Sequence, residues 1–387
     1  MEVFLSALAS LTQGFTNLSW QGVIMIALAC VLLYIGIGKK IEPLLLVPIA
    51  FGVLLGNLPL AGLSASYIAP DGEPGVMKLL YDGGILTELF PVLLFIGLGA
   101  MIDFGPMLGN PIVLIFGAAG QFGIFLTLLL ALWLGFPREQ AVSIAVIGAM
   151  DGPTAIYVTS KLARELLPAI SIAAYSYMSL VPIIQPPIMR IMTTKKERAT
   201  LMAIGEKKVS QRVKILFPVV AAIVTILIAP MGAPLMGMLM LGNLMRESGV
   251  LKRLVDVSEG ALANVVTLFL GLTIGASMLG DNFLKPQTIL IFALGLTAIA
   301  LDTVTGMLLG KLMRVLTKGK INPLIGAAGT SAFPMSSRVV QKEGQKANPK
   351  SFLLWHAIGA NTGGQIGSVM AAAVMLAIMA GMGLLPT

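Results

Sequence analysis

The sequence has one cysteine and one histidine among its 387 residues, and only 11% of its residues are charged. A single cysteine excludes disulfide bonds within the chain and metal sites built from several thiolates. No P-loop, H-E-x-x-H or Ser-His-Asp pattern is present, so ATP hydrolysis and serine-hydrolase chemistry have no support. The scarcity of charge is the first sign that lipid, rather than water, surrounds most of the chain.

Apolar residues make up 57% of the chain, and its mean hydropathy is +0.92, well above that of soluble globular proteins. At about 20 residues per span, the chain could hold roughly ten transmembrane helices with short loops. The net charge of +8 does not indicate nucleic acid binding, because Lys and Arg in a membrane protein mostly mark cytoplasmic loops. The predicted fold is an all-α, multi-pass integral membrane protein without separate soluble domains.

The apolar segments fall into two classes. Two of them, 141–160 and 321–337, are rich in Gly, Pro, Ser and Thr, which interrupt helices. Residues 1–21 lack a cleavable signal pattern and predict an interfacial segment. Continuous apolar runs predict helices near residues 22–38, 44–58, 90–105, 111–136, 166–192, 213–230, 233–245, 261–280, 287–316 and 352–385.

The basic residues predict the threading. Four clusters should be cytoplasmic, and the acidic connection 62–89 suits the outside. These assignments agree only if 141–160 and 321–337 are re-entrant broken-helix hairpins, the first opening from outside and the second from the cytoplasm. Arg138, Lys161 and Arg164 count against this threading, which places them outside. The cytoplasmic clusters are Lys39 with Lys40 and residues 195–214, 246–253 and 311–350.

Short sequence motifs recur in the second half of the chain, in the same order and 174 to 186 residues later. Combined with the charges, this predicts an inverted repeat, the architecture of secondary transporters, whose sites lie where broken helices meet at the midplane. The predicted organisation is an interfacial segment 1–21, a first membrane repeat 22–192, a cytoplasmic basic loop 193–212 and a second membrane repeat 213–387. The matching motifs begin at Leu55 and Leu241, Leu94 and Leu268, Pro111 and Gln287, and Ile147 and Ile325.

Asp151 is the leading functional candidate, because it lies within an apolar stretch. A charge near the bilayer centre costs about 2.5–3.5 kcal/mol on insertion scales, so a charged residue at that depth usually has a functional role. Gly152 and Pro153 follow it and should break the helix, leaving backbone carbonyls free. A carboxylate beside free carbonyls predicts a site for a small hard cation.

The hairpin 321–337 should face Asp151, and it offers Asn and Ser oxygens between helix-breaking residues. Close helix packing through small residues is the alternative interpretation. The same two interpretations apply to residues 359–368. Asp302 is a second carboxylate at membrane depth, but no Pro lies nearby to free carbonyls, so a site role and a structural hydrogen bond both fit it.

Four further side chains are candidates for a functional or a structural role. Tyr175 fits an interfacial anchor, whereas Tyr177 lies deeper and could hydrogen-bond Asp151 or pass on a proton. Arg338 is either one more cytoplasmic positive charge or a two-point fork for an arriving carboxylate. The only histidine, His356, is more simply explained as structural.

At these residues the chain closely resembles the beta subunits of the sodium-pumping, biotin-dependent decarboxylases, which act on oxaloacetate, methylmalonyl-CoA or glutaconyl-CoA. The resemblance runs over nearly the whole chain and is carried by residues 148–154, 174–177, 185–187 and 322–338. It implies a subunit of the bacterial inner membrane that decarboxylates carboxybiotin on a partner. It also implies that this reaction drives sodium export with proton uptake.

The resemblance also implies roles for individual residues. Asp151, Tyr177 and Arg338 would be catalytic, and Arg338, Asn322 and Ser331 would contact carboxybiotin. The implied partners are a biotin carrier, a carboxyltransferase and a small membrane-anchor subunit, with a homo-oligomer expected and no nucleic acid. The chain looks like the shorter members, which favours the CoA-ester branch. The implied sodium ligands are Asp151, Asn322, Gly326, Ser331 and Tyr177.

A different class of protein fits the same pattern. Inverted repeats, broken helices and a buried carboxylate are also expected of a stand-alone sodium-coupled symporter or sodium–proton antiporter without a chemical step. Sodium flux without a biotinylated partner would favour that class. A passive channel is the weakest interpretation, because the predicted site is closed and acidic.

Overall fold

The computed structural model describes residues 12–202 and 209–385, where the regular structure is helical apart from one isolated bridge between Ile68 and Pro74. The α-helices of the first half are α1 Trp20–Leu33, α2 Pro43–Gly56, α3 Val76–Leu80, α4 Leu89–Met101, α5 Gly105–Gly109, α6 Ile112–Gly120, α7 Phe122–Trp133, α8 Arg138–Ala145, α9 Gly152–Leu162 and α10 Leu167–Met192. Those of the second half are α11 Lys195–Arg198, α12 Gln211–Ile228, α13 Ala233–Ser248, α14 Lys252–Asp256, α15 Ala263–Ser277, α16 Gly280–Phe283, α17 Pro286–Leu316, α18 Met335–Ala347 and α19 Leu354–Gly381. Short 3₁₀ or π segments adjoin them at Tyr34–Gly38, Tyr81–Leu86, Val146–Ala149, Arg164–Leu166, Pro230–Gly232, Val257–Leu262 and Pro323–Ala328.

The predicted apolar helices are all present, and the all-helical membrane fold is confirmed. By length and composition, six helices in the described ranges are able to cross a membrane, or up to eight if each of two bent pairs is one span. The predicted number of about ten spans is therefore not confirmed. Some helices are too short: the 14 residues of α2 extend about 21 Å, against a hydrocarbon core of about 30 Å.

The two halves have the same order of helices. A π-helical segment precedes the equivalent helix in each half, Tyr81–Leu86 before α4 and Val257–Leu262 before α15. A long apolar helix, α6 with α7 in one half and α17 in the other, then leads into a broken segment. The internal repeat read from the sequence thus has a counterpart in the helix order, while its inversion across the membrane stays a prediction.

The chain divides into two compact units, each made from both halves of the sequence. The first contains residues up to Phe90 together with Asn264–Leu290. In it, α2 packs on α15 so closely that a β-carbon on Gly56, the glycine of the Leu-Gly-Asn-Leu motif, would lie 2.7 Å from the Ala276 carbonyl oxygen. Asn57, just after α2, donates to the Met278 carbonyl at 2.8 Å and accepts from the Gly280 N–H at 3.0 Å.

The second unit contains Pro91–Ala263 and the residues from Ile291 onward. There, α13 packs on α4 in the same way, since a β-carbon on Gly242 would overlap the Ile96 carbonyl oxygen. Asn243 donates to the Ile102 carbonyl at 2.8 Å, just after α4 ends. The recurring Leu-Gly-Asn-Leu motif therefore does the same job twice: glycine allows close helix contact, and asparagine binds carbonyls freed at a helix end.

Both predicted hairpins contain a break. Residues 141–160 form the end of α8, the 3₁₀ segment Val146–Ala149 and most of α9, whereas 321–337 form Pro323–Ala328, an irregular stretch and the start of α18. The side from which each enters the membrane stays a prediction, as do the predicted domain boundaries. In the segment 1–21, residues 12–16 are helical and exposed and residues 1–11 lie outside the described part. The loop 193–212 contains α11, and its residues 203–208 lie outside that part too.

Candidate functional site

The helical structure is interrupted at Met150 and Asp151, between the 3₁₀ segment that follows α8 and the start of α9. Met150 adopts a left-handed conformation with φ 56°, and Asp151 is extended with φ −131° at the start of α9. Pro153 lies in the first turn of α9, where its missing N–H costs no helical hydrogen bond. The Gly-Pro pair therefore starts a new helix, and the carboxylate stands immediately before it.

The Asp151 side chain is only 4% exposed and is held by three donors on one oxygen. Its Oδ2 accepts hydrogen bonds from Thr154 Oγ1 at 2.6 Å, from Gln365 Nε2 at 2.7 Å and from Ser368 Oγ at 3.4 Å. Thr154 is one turn away on α9, whereas Gln365 and Ser368 come from α19. A buried carboxylate is thus stabilised by neutral donors, which a bound cation could replace.

The second break lies against the first. Ser331 donates its backbone N–H to the Ala149 carbonyl at 3.3 Å and its hydroxyl to the Gly364 carbonyl at 2.9 Å. Gly329, two residues earlier, packs directly on the carbonyl of Phe116, so a side chain there would not fit. The two broken segments and α19 therefore converge beside Asp151, and the role of Ser331 in binding an ion or carboxybiotin stays a prediction.

Buried oxygen atoms around this convergence lack hydrogen-bond partners in the part of the chain that the structure describes. Three of them are Tyr175 Oη, Gln121 Oε1 and Asn361 Oδ1. The amide nitrogens of the last two are used, since Gln121 Nε2 donates to the Gly329 and Gly364 carbonyls at 3.3 Å and Asn361 Nδ2 to the Thr330 carbonyl at 2.5 Å. Unpaired oxygens near a buried carboxylate are groups that could act as ligands of a small hard cation.

The two tyrosines are placed differently from the prediction. The Tyr175 ring lies against Gly152, next to Asp151, and a β-carbon there would overlap the ring. Tyr177 donates its hydroxyl to the Phe292 carbonyl at 2.7 Å and packs edge-on against the Phe292 ring. Asp151 is therefore next to Tyr175 rather than hydrogen-bonded to Tyr177. The helix that carries them, α10, bends by 62° between Met178 and Leu180.

Asn322 and Gly326 make backbone-directed contacts. Asn322 is fully buried, and its amide donates to the carbonyls of Arg198 and Thr200, both at 2.9 Å. Its Oδ1 accepts from the Leu324 N–H at 3.1 Å and so caps the 3₁₀ segment. Gly326 packs backbone to backbone on Gly306. These contacts explain both residue types structurally, and their roles in ion binding stay predictions.

Arg338 is exposed on the first turns of α18. No carboxylate in the described ranges lies within ion-pair distance of it, so its guanidinium is available for an incoming anion. The neighbouring Glu343 is different: it binds Arg190 through two bonds of 2.8 and 2.9 Å and Lys346 through one of 2.6 Å. The hydrogen bonds from Arg190 hold the pKa of Glu343 below its ordinary value, despite the opposing effect of burial.

Sequence reasoning did not single out Thr154, Gln365 or Ser368, although the last two lie in the run 359–368, for which oxygen ligands and close packing were both left open. The Gly- and polar-rich run 359–368 was a usable signal, because it interrupts an apolar helix with amide and hydroxyl groups. The sequence of this run does not show which of its side chains face Asp151, because α19 is a continuous helix whose apolar residues are not concentrated on one side.

Comparison with known proteins gives a consistent result over nearly the whole chain. The family model of the Na⁺-transporting oxaloacetate decarboxylase beta subunit matches residues 21–379. The chain is 50% identical over 385 residues to the methylmalonyl-CoA decarboxylase subunit beta of Propionigenium modestum, covering 95% of this chain and 97% of the relative. It is 49% identical over 383 residues to the glutaconyl-CoA decarboxylase subunit beta of Acidaminococcus fermentans, covering 98% and 100%. With the oxaloacetate decarboxylase beta chain 2 of Salmonella typhi, the identity is 46% over 418 positions, covering 94% and 96%.

Proposed function

Because the chain belongs to the family of Na⁺-transporting oxaloacetate decarboxylase beta subunits, we propose that it is the membrane subunit of a decarboxylase sodium pump. The family predicted from the sequence is confirmed, as is the prediction of a multi-pass protein of the bacterial inner membrane. Its relatives are decarboxylase subunits, so it takes part in an enzymatic decarboxylation. The partner, the sodium site and the coupling are the parts we propose.

The observation that carries the proposal is the carboxylate of Asp151 at a helix break. It is buried, it is held only by neutral donors, and Tyr175 Oη nearby has no hydrogen-bond partner in the described ranges. Sodium bound at Asp151 would add the missing positive charge, and the Gln365 amide could rotate to offer its oxygen in place of its nitrogen. Sodium and a proton would then compete for the same carboxylate.

Arg338 is the residue that would engage the reacting group. Carboxybiotin on a partner carrier supplies a carboxylate bonded to nitrogen, and its decarboxylation consumes one proton. The exposed guanidinium of Arg338 would hold that carboxylate through two parallel hydrogen bonds. Tyr177 would hold a proton for the reaction, although in the resting arrangement its hydroxyl donates to the Phe292 carbonyl.

The partners in this proposal are a biotin carrier, a carboxyltransferase and a small membrane-anchor subunit. Among the relatives, the two acyl-CoA decarboxylase subunits align over 385 and 383 positions, close to the 387 residues of this chain. The alignment with the oxaloacetate relative extends over 418 positions, so it needs insertions. We therefore favour an acyl-CoA ester, rather than oxaloacetate, as the substrate of the partner carboxyltransferase.

The proposal is tested with the purified chain in liposomes and a carboxybiotinylated carrier, by following carbon dioxide release and sodium uptake together. Wild type should release carbon dioxide in a sodium-dependent way. Asp151→Asn keeps the shape of the side chain but removes its charge. The sodium concentration needed for half-maximal activity should rise by about 10- to 100-fold, because a hydrogen bond to a charged group contributes about 1.5–3 kcal/mol. Thr127→Val is the matched control, because it removes a fully buried hydroxyl elsewhere. Sodium flux at the wild-type rate without any carrier would establish the symporter or antiporter alternative instead.

A further inference from the structure

Asp302 is a second buried carboxyl that the proposed sodium site does not use. It lies near the middle of α17, a 31-residue helix long enough to cross the membrane, and its exposed fraction is 0%. Neither of its carboxyl oxygens has a hydrogen-bond partner in the described ranges. This contrasts with Asp151, whose Oδ2 alone accepts three hydrogen bonds.

The surroundings of Asp302 are small and apolar. On α7, a β-carbon added to Gly123 would overlap Asp302, and on the 3₁₀ segment a β-carbon added to Gly148 would lie 3.3 Å from Oδ2. The Ala298 β-carbon, one turn earlier on α17, would lie 3.0 Å from the same added atom at Gly148. None of these neighbours carries a titratable group, and the nearest carboxylate along the chain from Gly148 is Asp151.

The glycine neighbours of Asp302 do not favour a sodium ion. Sodium needs several oxygen ligands, but Gly123 and Gly148, which lie against the Asp302 side chain, offer no side-chain oxygen. The Gly123 and Ile124 N–H groups at the start of α7 lie nearby without hydrogen-bond geometry, and that of Ile124 is already bonded to the Gln121 carbonyl at 3.2 Å. Neither N–H group can act as a sodium ligand, whereas a proton bound to the carboxyl itself needs no oxygen ligands.

We propose that Asp302 is a proton-binding carboxyl, separate from the sodium site at Asp151. An ionised carboxylate without hydrogen bonds or a counter-charge is strongly disfavoured in an apolar interior, and the start of one helix offsets only part of that cost. The 3₁₀ segment Val146–Ala149, which ends two residues before Asp151, also lies against Asp302 at Gly148. On the proposed function, Asp302 would hold a proton that is distinct from the one at Tyr177 and from the one that competes with sodium at Asp151.

Infrared spectroscopy of the purified protein tests this directly, because a protonated carboxyl has a carbonyl stretching band that an ionised one lacks. Spectra are compared for wild type, Asp302→Asn, Asp151→Asn and the control Thr127→Val, each with and without sodium. We expect one band that Asp302→Asn removes and that sodium leaves unchanged. Sodium should instead remove only a band that is missing from Asp151→Asn. Asp302→Glu, which keeps the carboxyl, should move the band rather than abolish it.

Two results would overturn the inference. If Asp302→Asn and Asp302→Glu both give the wild-type spectrum, Asp302 is ionised and serves as a structural anion at the start of α7. If sodium removes the Asp302 band in an Asp151→Asn background, the site binds sodium. Failure of the sodium site at Asp151 gives a different pattern, in which sodium changes no band while the Asp302 band is still present. Should Asp302→Asn not fold, the Asp302→Glu shift decides alone.

Discussion

Gln365 donates its side-chain amide to Asp151 across 214 residues of sequence, with Nε2 2.7 Å from Oδ2. Both side chains are buried, at 1% and 4% exposed. The amide nitrogen here takes the place that a cation would hold beside the carboxylate. Because an amide has a donor and an acceptor end, a half turn would present its oxygen to a bound sodium ion.

Replacing Gln365 by Ala should therefore weaken sodium activation of carbon dioxide release. Loss of a hydrogen bond to a charged group is worth about 1.5–3 kcal/mol, or roughly 10- to 100-fold in affinity. Ser368→Ala removes a longer contact, 3.4 Å, and should have a clearly smaller effect. Equal sodium dependence in Gln365→Ala and wild type would show that Gln365 does not belong to the site.

Tyr175 and Tyr177 should differ in what their hydroxyls do. Tyr175→Phe removes an unpaired oxygen next to Asp151 and should raise the sodium concentration needed for half-maximal rate by about tenfold, with little change in maximal rate. Tyr177→Phe should lower the maximal rate instead, because it removes the proposed proton donor. It also removes the bond to the Phe292 carbonyl, worth about 1 kcal/mol, so thermal unfolding must be measured alongside. If Tyr175→Phe instead lowers the maximal rate and Tyr177→Phe raises the sodium requirement, the two proposed roles are reversed.

Arg338→Lys keeps the charge but loses the planar fork, and should reduce carbon dioxide release from a carboxybiotinylated carrier by at least tenfold. The matched control is Lys342→Gln, which removes an exposed charge one turn further along α18. If carbon dioxide release falls equally in both variants, the exposed positive charge of α18 matters as a whole and Arg338 has no special role. Sodium affinity should be unchanged in both.

The threading is tested by labelling single cysteines in a Cys30→Ser background. Leu134 and Lys320 are exposed in the connections before α8 and before the 3₁₀ segment at Pro323, and both have ordinary backbone conformations. Leu134→Cys should react with an impermeant probe from outside and Lys320→Cys from the cytoplasm, if the halves are inverted. Reaction of both from one face would rule out the predicted re-entrant arrangement.

Glu343 should make stability depend on acid pH. Its bonds to Arg190 and Lys346 lower its folded-state pKa from the ordinary 4.5, so its contribution is complete above that value. The contribution is lost as pH falls through the lower folded-state pKa. The thermal unfolding temperature of wild type should therefore decline more steeply below about pH 4.5 than that of Glu343→Gln. The effect should be small, because the Arg190 and Lys346 side chains are half exposed, at 50% and 51%. Parallel pH profiles would mean that the pair contributes nothing measurable.

The sequence by itself determined that lipid surrounds most of the chain, that the fold is helical and where the two helix breaks lie. A run of apolar residues in lipid can satisfy its backbone only as a helix, and Gly152 with Pro153 favours an interruption of it. The Leu-Gly-Asn-Leu repeat also predicted an internal duplication that the order of helices reproduces. These features are local, so composition and spacing were sufficient.

The partners of the buried polar groups were decided only by the tertiary structure. Gln365 and Ser368 meet Asp151 because α19 crosses the break at one particular rotation, which an evenly apolar helix does not reveal. For the same reason the sequence chose Tyr177 over Tyr175 as the neighbour of Asp151, and left Asp302 open between two roles. In lipid, hydrophobicity is uniform around a helix, so side-chain pairing follows from close packing at glycines such as Gly123 and Gly152 rather than from pattern.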